Sequence, residues 1–153
     1  MSAQLQESPL IRPMSLADMD AVMSIEGEIY PFPWTRGNFG DSIISGYHCL
    51  VLEQVGCVIG YGVIMIGAGE AHMLNLSIAA TWQRRGWGGM LLQHFIGLAR
   101  EHRAQRMFLE VRQSNPDAVR LYQRAGFSQI AKRKDYYPAT NGREGAVVME
   151  LML

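Results

Sequence analysis

Cysteine is nearly absent from the chain. Cys49 and Cys57 are the only two in 153 residues. They lie eight apart in apolar surroundings, with no Cys-x-x-Cys pair and no histidine at metal-ligand spacing. This predicts two reduced, buried thiols, no disulfide and no metal centre. An excess of either charge is lacking too. Fourteen Lys and Arg balance fourteen Asp and Glu, so no overall field gathers nucleic acid or an anionic membrane, and a partner has to be chosen locally. Nor is there a long hydrophobic run. The longest stretch free of charged residues, Gln54 to Gly69, has 16 positions and five glycines, short of the roughly 18 apolar residues of a membrane span. Met1 to Ser8 show neither a basic start nor an apolar run and read as a loose tail, not an export signal, which predicts a cytoplasmic protein. The four histidines, His48, His72, His94 and His102, form no HExxH motif and no triad-like set, and they receive no catalytic role.

What is present is a core. At 48% hydrophobic over 153 residues, the chain suits one domain over residues 9–153 behind a tail at 1–8. A brief strand around Leu10 to Arg12 precedes Pro13. Ser15-Leu16-Ala17-Asp18 resembles a capping box, and Met19, Val22, Met23 and Ile29 keep helical spacing after it. Two prolines interrupt Tyr30-Pro31-Phe32-Pro33-Trp34, and Thr35 then caps a short helix carrying Phe39, Ile43 and Ile44. His48 to Glu53, Cys57 to Ile66 and His72 to Ile78 read as three strands joined by hairpins. A helix from Gly86 to His102 follows, with Leu91, Phe95, Leu98 and Ala99 on one face. After a strand at Met107 to Val111, Ser114-Asn115-Pro116-Asp117 starts a helix that Gly126 ends. Strands at Ile130 to Asp135 and Ala146 to Leu151 close the chain. The order β-α-α-β-β-β-α-β-α-β-β predicts an α/β domain whose antiparallel half precedes a crossover helix and a parallel pairing.

The segment from Leu76-Ser77-Ile78 to Arg84-Arg85-Gly86-Trp87-Gly88-Gly89 joins a strand to a helix start. Three glycines in four positions let backbone approach a ligand, and free N–H groups at a helix N-terminus favour an anion such as pyrophosphate. Neither a Walker loop nor the Gly-x-Gly-x-x-Gly fingerprint fits. Two other residues invite chemistry. Glu110 sits among apolar neighbours in a strand, where desolvation raises a carboxylate toward useful basicity, or it simply pairs with Arg112 on the same strand face. Tyr122 is a proton donor or a packed core residue.

Gln83-Arg84-Arg85-Gly86-Trp87-Gly88 resembles the Q/R-x-x-G-x-G/A loop of the GCN5-related N-acetyltransferase (GNAT) superfamily. Leu109-Glu110-Val111-Arg112, Ser114-Asn115, Leu121-Tyr122 and Gly126-Phe127 resemble the closing half of that fold. With Pro33-Trp34-Thr35, Asn75-Leu76-Ser77-Ile78 and Tyr136-Tyr137-Pro138, the likeness runs from about Ile11 to Met149 and is strongest to those members that acetylate protein N-termini. The resemblance implies a mixed, mostly antiparallel sheet of about seven strands with flanking helices. It implies acetyl-CoA as donor, no metal, and direct transfer in a ternary complex to the N-terminal alanine of a small-subunit ribosomal protein, by a monomer or weak oligomer. Cofactor binding falls to Arg84, Arg85, Gly86, Trp87, Gly88 and Gly89, of which Trp87 and Gly89 depart from the family pattern and are not demanded by the pyrophosphate contact. The pantetheine arm falls to Asn115, which also suits a helix cap, and to the backbone of Leu76, Ser77 and Ile78, where side chains are expected to matter little. Glu110 becomes the base and Tyr122 the acid.

Such a base can be modest. A protein α-amine has a pKa of about 7.7–8.0 and a lysine about 10.4, which adds about 3.4 kcal/mol of deprotonation cost for lysine at neutral pH. Trp34, Tyr136 and Tyr137 are expected to flank the peptide groove, and Glu26, Glu28, Asp41 and Glu144 to give it an acidic rim. Rival readings are transfer to a lysine or a small-molecule amine, and a CoA-binding module without turnover.

Overall fold

The computed structural model describes residues 8–153, so the expected tail lies outside the described residues except for Ser8. β1 (Leu10–Pro13) leads through a 3-10 turn (Leu16–Asp18) into α1 (Met19–Ile29). Asp18 fixes this entry. Its carboxylate accepts the Ser15 backbone N–H at 2.8 Å and takes both terminal nitrogens of Arg12 at 2.7 and 2.8 Å. Arg12 also reaches Glu53 at 2.6 Å. The Arg12 guanidinium holds the Asp18 carboxyl at about 2, against an ordinary 3.8. The folded value lies below the unfolded one, so this pairing stabilises fully above about pH 4 and its contribution is lost as pH falls through about 2. Asp18→Asn is expected to cost about 2 kcal/mol at pH 6 and to flatten the acid slope between pH 4 and 2. Urea denaturation across that window reads both, and an unaltered slope would contradict the pairing.

α2 (Arg36–Ile44) begins at Thr35, whose Oγ1 accepts the Asn38 N–H at 3.1 Å while Asn38 Oδ1 accepts the Thr35 N–H at 2.9 Å. Ile44, expected on the apolar face, is 85% exposed: the cap rotates Phe39 and Ile43 inward and leaves Ile44 at the last turn, beyond the sheet.

The remaining strands are β2 (His48–Gln54), β3 (Cys57–Gly67), β4 (Glu70–Ile78), β5 (Arg106–Arg112), β6 (Ser128–Ala139) and β7 (Gly142–Met152). They form one seven-stranded sheet in the order β1-β2-β3-β4-β5-β7-β6. Every neighbouring pair is antiparallel except β4 and β5. Those two are parallel because the crossover helix α3 (Trp87–Glu101) joins them. α4 (Pro116–Arg124) returns the chain from β5 to β6.

One face of the sheet buries Leu52, Met73, Met107, Leu109 and Met149 against Leu91, Leu92, Phe95 and Ile96 of α3. α3 comes so close that a Cβ at position 62 would lie 2.5 Å from the Phe95 ring, which requires Gly62. The other face buries Val51, Tyr61 and Val63 against Val22, Ile25 and Phe39. Cys49 belongs to that core, but Cys57 is exposed, contrary to expectation, because it opens β3 directly after the turn at Val55-Gly56.

The last two strands are longer than the predicted Ile130–Asp135 and Ala146–Leu151. Pro138 is tolerated inside β6 because this is an edge strand whose outer side needs no N–H. The irregularity between Arg133 and Tyr137, with Asp135 at φ 51°, absorbs the break in pairing.

Candidate active site

β4 and β5 pair only at Glu70↔Arg106, Ala71↔Met107 and His72↔Phe108. Beyond His72 and Phe108 they part, and α3 and α4 both start beyond the carboxyl ends of the parted strands. A cleft at a point where parallel strands diverge is where open α/β sheets place ligands.

The loop into α3 is folded back by Gln83, whose side-chain N–H donates to Ile78 O at 2.9 Å. Arg84 (φ 63°) and Gly86 (φ 87°) both adopt the left-handed conformation. The backbone N–H groups of Trp87, Gly88 and Gly89 form the first turn of α3 and have no acceptor among the described residues, so dipole and free donors together make a seat for an anion. A Cβ at position 88 would already touch Leu121 of α4 at 3.5 Å, so this turn lies against α4. Arg84 pairs with Asp117 of α4 at 3.3 Å. Arg85 lies 5.2 Å over the Trp82 ring, and Trp87 packs edge-on to Trp82 at 6.1 Å. At the start of α4, Asn115 Oδ1 accepts the Ala118 N–H at 3.2 Å, while its Nδ2 has no partner among the described residues.

Along the end of β4, a shift in register between Val63 and Ile64 leaves Leu74 opposite no partner. This bulge exchanges the faces of the strand: Met73 points to α3, whereas Asn75 and Ser77 point to α1. The carbonyls of Asn75 and Ser77 face β3, so by strand alternation the amides of Leu76 and Ile78 face the gap toward β5.

The Ser77 side chain, expected to matter little, is engaged in a buried hydrogen-bond chain. Its hydroxyl is buried, donates to Asn75 Oδ1 at 2.6 Å and so receives the Tyr30 hydroxyl proton at 2.7 Å. Asn75 in turn donates to Glu26 Oε1 at 3.1 Å, which also accepts from the Tyr61 hydroxyl at 2.7 Å. Glu26 Oε2 takes the Trp34 backbone N–H at 2.8 Å. Glu26 is therefore 1% exposed and holds the Tyr30–Trp34 loop; it is not part of an acidic rim. Burial pushes the Tyr30 phenol up to about 12.

Glu110 lies in the cleft on β5, with its side chain 11% exposed. The partner that the strand spacing offered, Arg112, is engaged elsewhere: it donates to Pro138 O at 2.7 Å and to Glu144 Oε1 at 2.8 Å. Glu144, bound also by Ser114 at 3.0 Å, is thus no free rim charge. Glu110 Oε2 instead meets His72 Nε2 at 2.5 Å, and Arg133 stands 3.8 Å from Oε1. His72 was missed because the contact exists only in the β4–β5 register, and nothing in the spacing of His72 and Glu110 along the chain signals it.

Tyr122 is buried against Phe127, and burial raises its phenol well above the usual value, helped by the nearby Tyr30 and Tyr137 hydroxyls. Its hydroxyl has no acceptor among the described residues. Tyr137 is likewise raised, by burial first and by the charge of Glu110 second. Tyr136 packs edge-on to Tyr137 at 4.8 Å. Trp34 packs on Phe39 in the second core, and it is Phe32 of the same loop that reaches across to the β6–β7 hairpin: Arg112 lies 5.4 Å over the Phe32 ring and 4.5 Å over Tyr137. A depression of about 500 Å³ lined by Gln113, Lys132, Lys134, Asp135, Arg143 and Glu144 contains Glu144 of the expected acidic rim but none of the residues expected to carry catalysis or hold acetyl-CoA. No helix among the described residues is long and apolar enough to cross a membrane.

The acetyltransferase (GNAT) family model matches residues 19–127. Over 141 residues the chain is 33% identical to the ribosomal protein bS18-alanine N-acetyltransferase of Escherichia coli K12, covering 92% of this chain and 95% of that one. The crystal structure of the Escherichia coli ribosomal-protein-S18-alanine N-acetyltransferase superposes with a TM-score of 0.88 at 32% identity, covering 95% of this chain and 94% of that chain. Ard1 from Thermoplasma volcanium superposes with a TM-score of 0.85 at 26% identity, covering 95% and 97%.

Proposed function

The chain belongs to the GNAT acetyltransferase family, and on that premise we propose that it acetylates the N-terminal alanine of a ribosomal protein, the counterpart of bS18 in its curated relatives. The observation that carries this reading is the likeness to an alanine N-acetyltransferase over 92% of the chain.

The residues present suit the donor, acetyl-CoA. The unpaired N–H groups of Trp87, Gly88 and Gly89, with Arg84 and Arg85 beside them, suit its pyrophosphate. The free Asn115 Nδ2 and the amides of Leu76 and Ile78 suit its pantetheine arm. Bound there, acetyl-CoA supplies an acetyl group activated as a thioester. Glu110 takes the proton of the attacking α-amine, directly or through a water. The Ile78 N–H donates to the acetyl oxygen as negative charge develops on it. Tyr122, kept protonated by burial, donates to the leaving sulfur; because a thiol's ordinary pKa of about 8.5 is below that of the raised phenol, this is a hydrogen bond and not full proton transfer. Tyr137 and Tyr136 line the peptide side of Glu110, and Trp34, packed on Phe39 and held by Glu26, anchors the loop that carries Phe32.

The test is mass analysis after incubation with acetyl-CoA and peptides beginning with Ala, Ser, Met or Gly, some carrying internal lysines. One acetyl group on the α-amine of the Ala peptide is expected. Transfer to lysine alone, or no transfer despite CoA binding, would refute the reading.

Arg112 joins both walls of the peptide groove, and its loss frees Phe32 from Tyr137. Two cation–π contacts and one charged pair are at stake. Arg112→Ala is therefore expected to raise the KM for peptide about 5–30-fold, corresponding to about 1–2 kcal/mol, with the KM for acetyl-CoA unchanged. Steady-state kinetics in each substrate separates the two.

A further inference from the structure

Glu110 has two suitors, and they pull in different directions. His72 projects from the last rung on which β4 and β5 are still paired, opposite Phe108. Its ring is stacked nearly parallel on the Phe108 ring, with centroids 4.3 Å apart and planes at 22°, and Phe108 carries Arg106 above it at 5.4 Å. The plane of the imidazole is thus set by packing, and its Nε2 meets Glu110 Oε2. With its proton on Nε2, the imidazole donates to the carboxylate oxygen at that separation. From the other side, Arg133 of β6 stands 3.8 Å from Oε1, drawn back over the Tyr136 ring at 5.0 Å.

The remaining groups around the pair are Tyr137 of β6, whose phenol feels the Glu110 charge, and the Glu70–Arg106 pair one step along β4 and β5. Only His72 binds the carboxylate at hydrogen-bond distance.

We propose that His72 is a positioning residue for Glu110: by donating from Nε2 to Oε2 it fixes the carboxylate and holds Oε1 in a long, 3.8 Å pairing with Arg133 that leaves it open to the amine proton, against closure into a tight ion pair. The inference rests on Glu110 serving as the base in the reading above. Without the donor the carboxylate turns further toward Arg133, and the long pairing at Oε1 closes into a direct ion pair that no longer faces the substrate. A hydrogen bond to a charged group is worth about 1.5–3 kcal/mol, or roughly 10–100-fold in rate.

The experiment combines kinetics with proton NMR of the 15N-labelled full chain. In the wild type a downfield imidazole N–H proton attached to a histidine nitrogen is expected, absent from both His72→Leu and Glu110→Leu. His72→Leu is expected to lower kcat about 10–100-fold with the KM for acetyl-CoA within about twofold. His72→Gln, whose amide still donates, is expected to recover most of that loss. Absence of the proton from the wild type, wild-type kcat in His72→Leu, or no recovery in His72→Gln would overturn the proposal. If the proton is present and lost as described while the wild type acetylates no peptide, the functional reading fails and the His72–Glu110 contact stands.

Discussion

Glu110→Gln is expected to lower kcat/KM for an alanine-starting peptide about 10²–10⁴-fold near pH 7, the range over which a positioned base contributes. The substitution is nearly isosteric. Its amide oxygen can still accept from His72 Nε2, and Val111 and Leu109 on either side stay in the core against α3, so neither fold nor CoA affinity should change. What disappears is the carboxylate proposed to take the proton from the amine. The pH dependence sharpens the expectation. An α-amine with a pKa of about 7.7–8.0 deprotonates by itself as pH rises, so the deficit should shrink between pH 7 and 9 without vanishing, since the proton released after attack still needs an acceptor. Rates of CoA release over that range, with thermal unfolding of the variant as a control, measure this. A loss of less than about threefold at pH 7 would remove Glu110 from the reaction and direct attention to Tyr137, its neighbour across the cleft.

What could be read along the chain were the features that act locally. Asn115-Pro116 announces a helix start because a cap and a fixed φ need only adjacent residues, and the structure has α4 starting at Pro116. The glycines at 86, 88 and 89 mark the start of α3 for the same reason. The β6–β7 hairpin was underestimated because nearly every residue of β6 is exposed: an edge strand with two wet faces shows no alternation to count. The site divides in the same way. Residue type and neighbours made Glu110 and Tyr122 candidates with alternatives open, and the family resemblance assigned their roles. The partners that orient the site did not, because they are brought together by sheet register. His72 reaches Glu110 across the parallel pairing, Glu26 reaches Tyr61 and Asn75 across α1, β3 and β4, and the bulge at Leu74 turns Ser77 toward α1, where strict alternation from Met73 would have turned it toward α3. A reading of one strand at a time therefore gave Glu26 to the surface and His72 to no role.

The Glu26 network carries the largest expected effect on stability. Glu26→Leu is expected to cost about 3–5 kcal/mol. The carboxylate is the acceptor for three buried or half-buried donors, the Tyr61 hydroxyl, the Asn75 amide and the Trp34 backbone N–H, and an apolar side chain leaves all three unpaired at about 1–3 kcal/mol each, reduced where water or relaxation reaches them. Glu26→Gln should cost less, about 1–3 kcal/mol, because one oxygen remains while the amide nitrogen confronts a donor. The two losses can be compared by urea denaturation, and a cost below about 1 kcal/mol for Glu26→Leu would show that these donors find other partners. The loss also has a catalytic expression. Glu26 is the anchor of the Tyr30–Trp34 loop, through Trp34 directly and through Asn75 and Ser77 to Tyr30. In the folded fraction of Glu26→Gln, peptide KM should rise by more than acetyl-CoA KM, since the anion seat at the start of α3 shares no hydrogen bond with this network, which meets the proposed pantetheine strand only at Leu76 to Ser77. The polar network that closes the α1 face of the sheet thus also holds the Tyr30–Trp34 loop, the proposed wall of the peptide groove, which gives a physical reason for four polar side chains, Glu26, Asn75, Ser77 and the Tyr61 hydroxyl, to occupy the interior of that core.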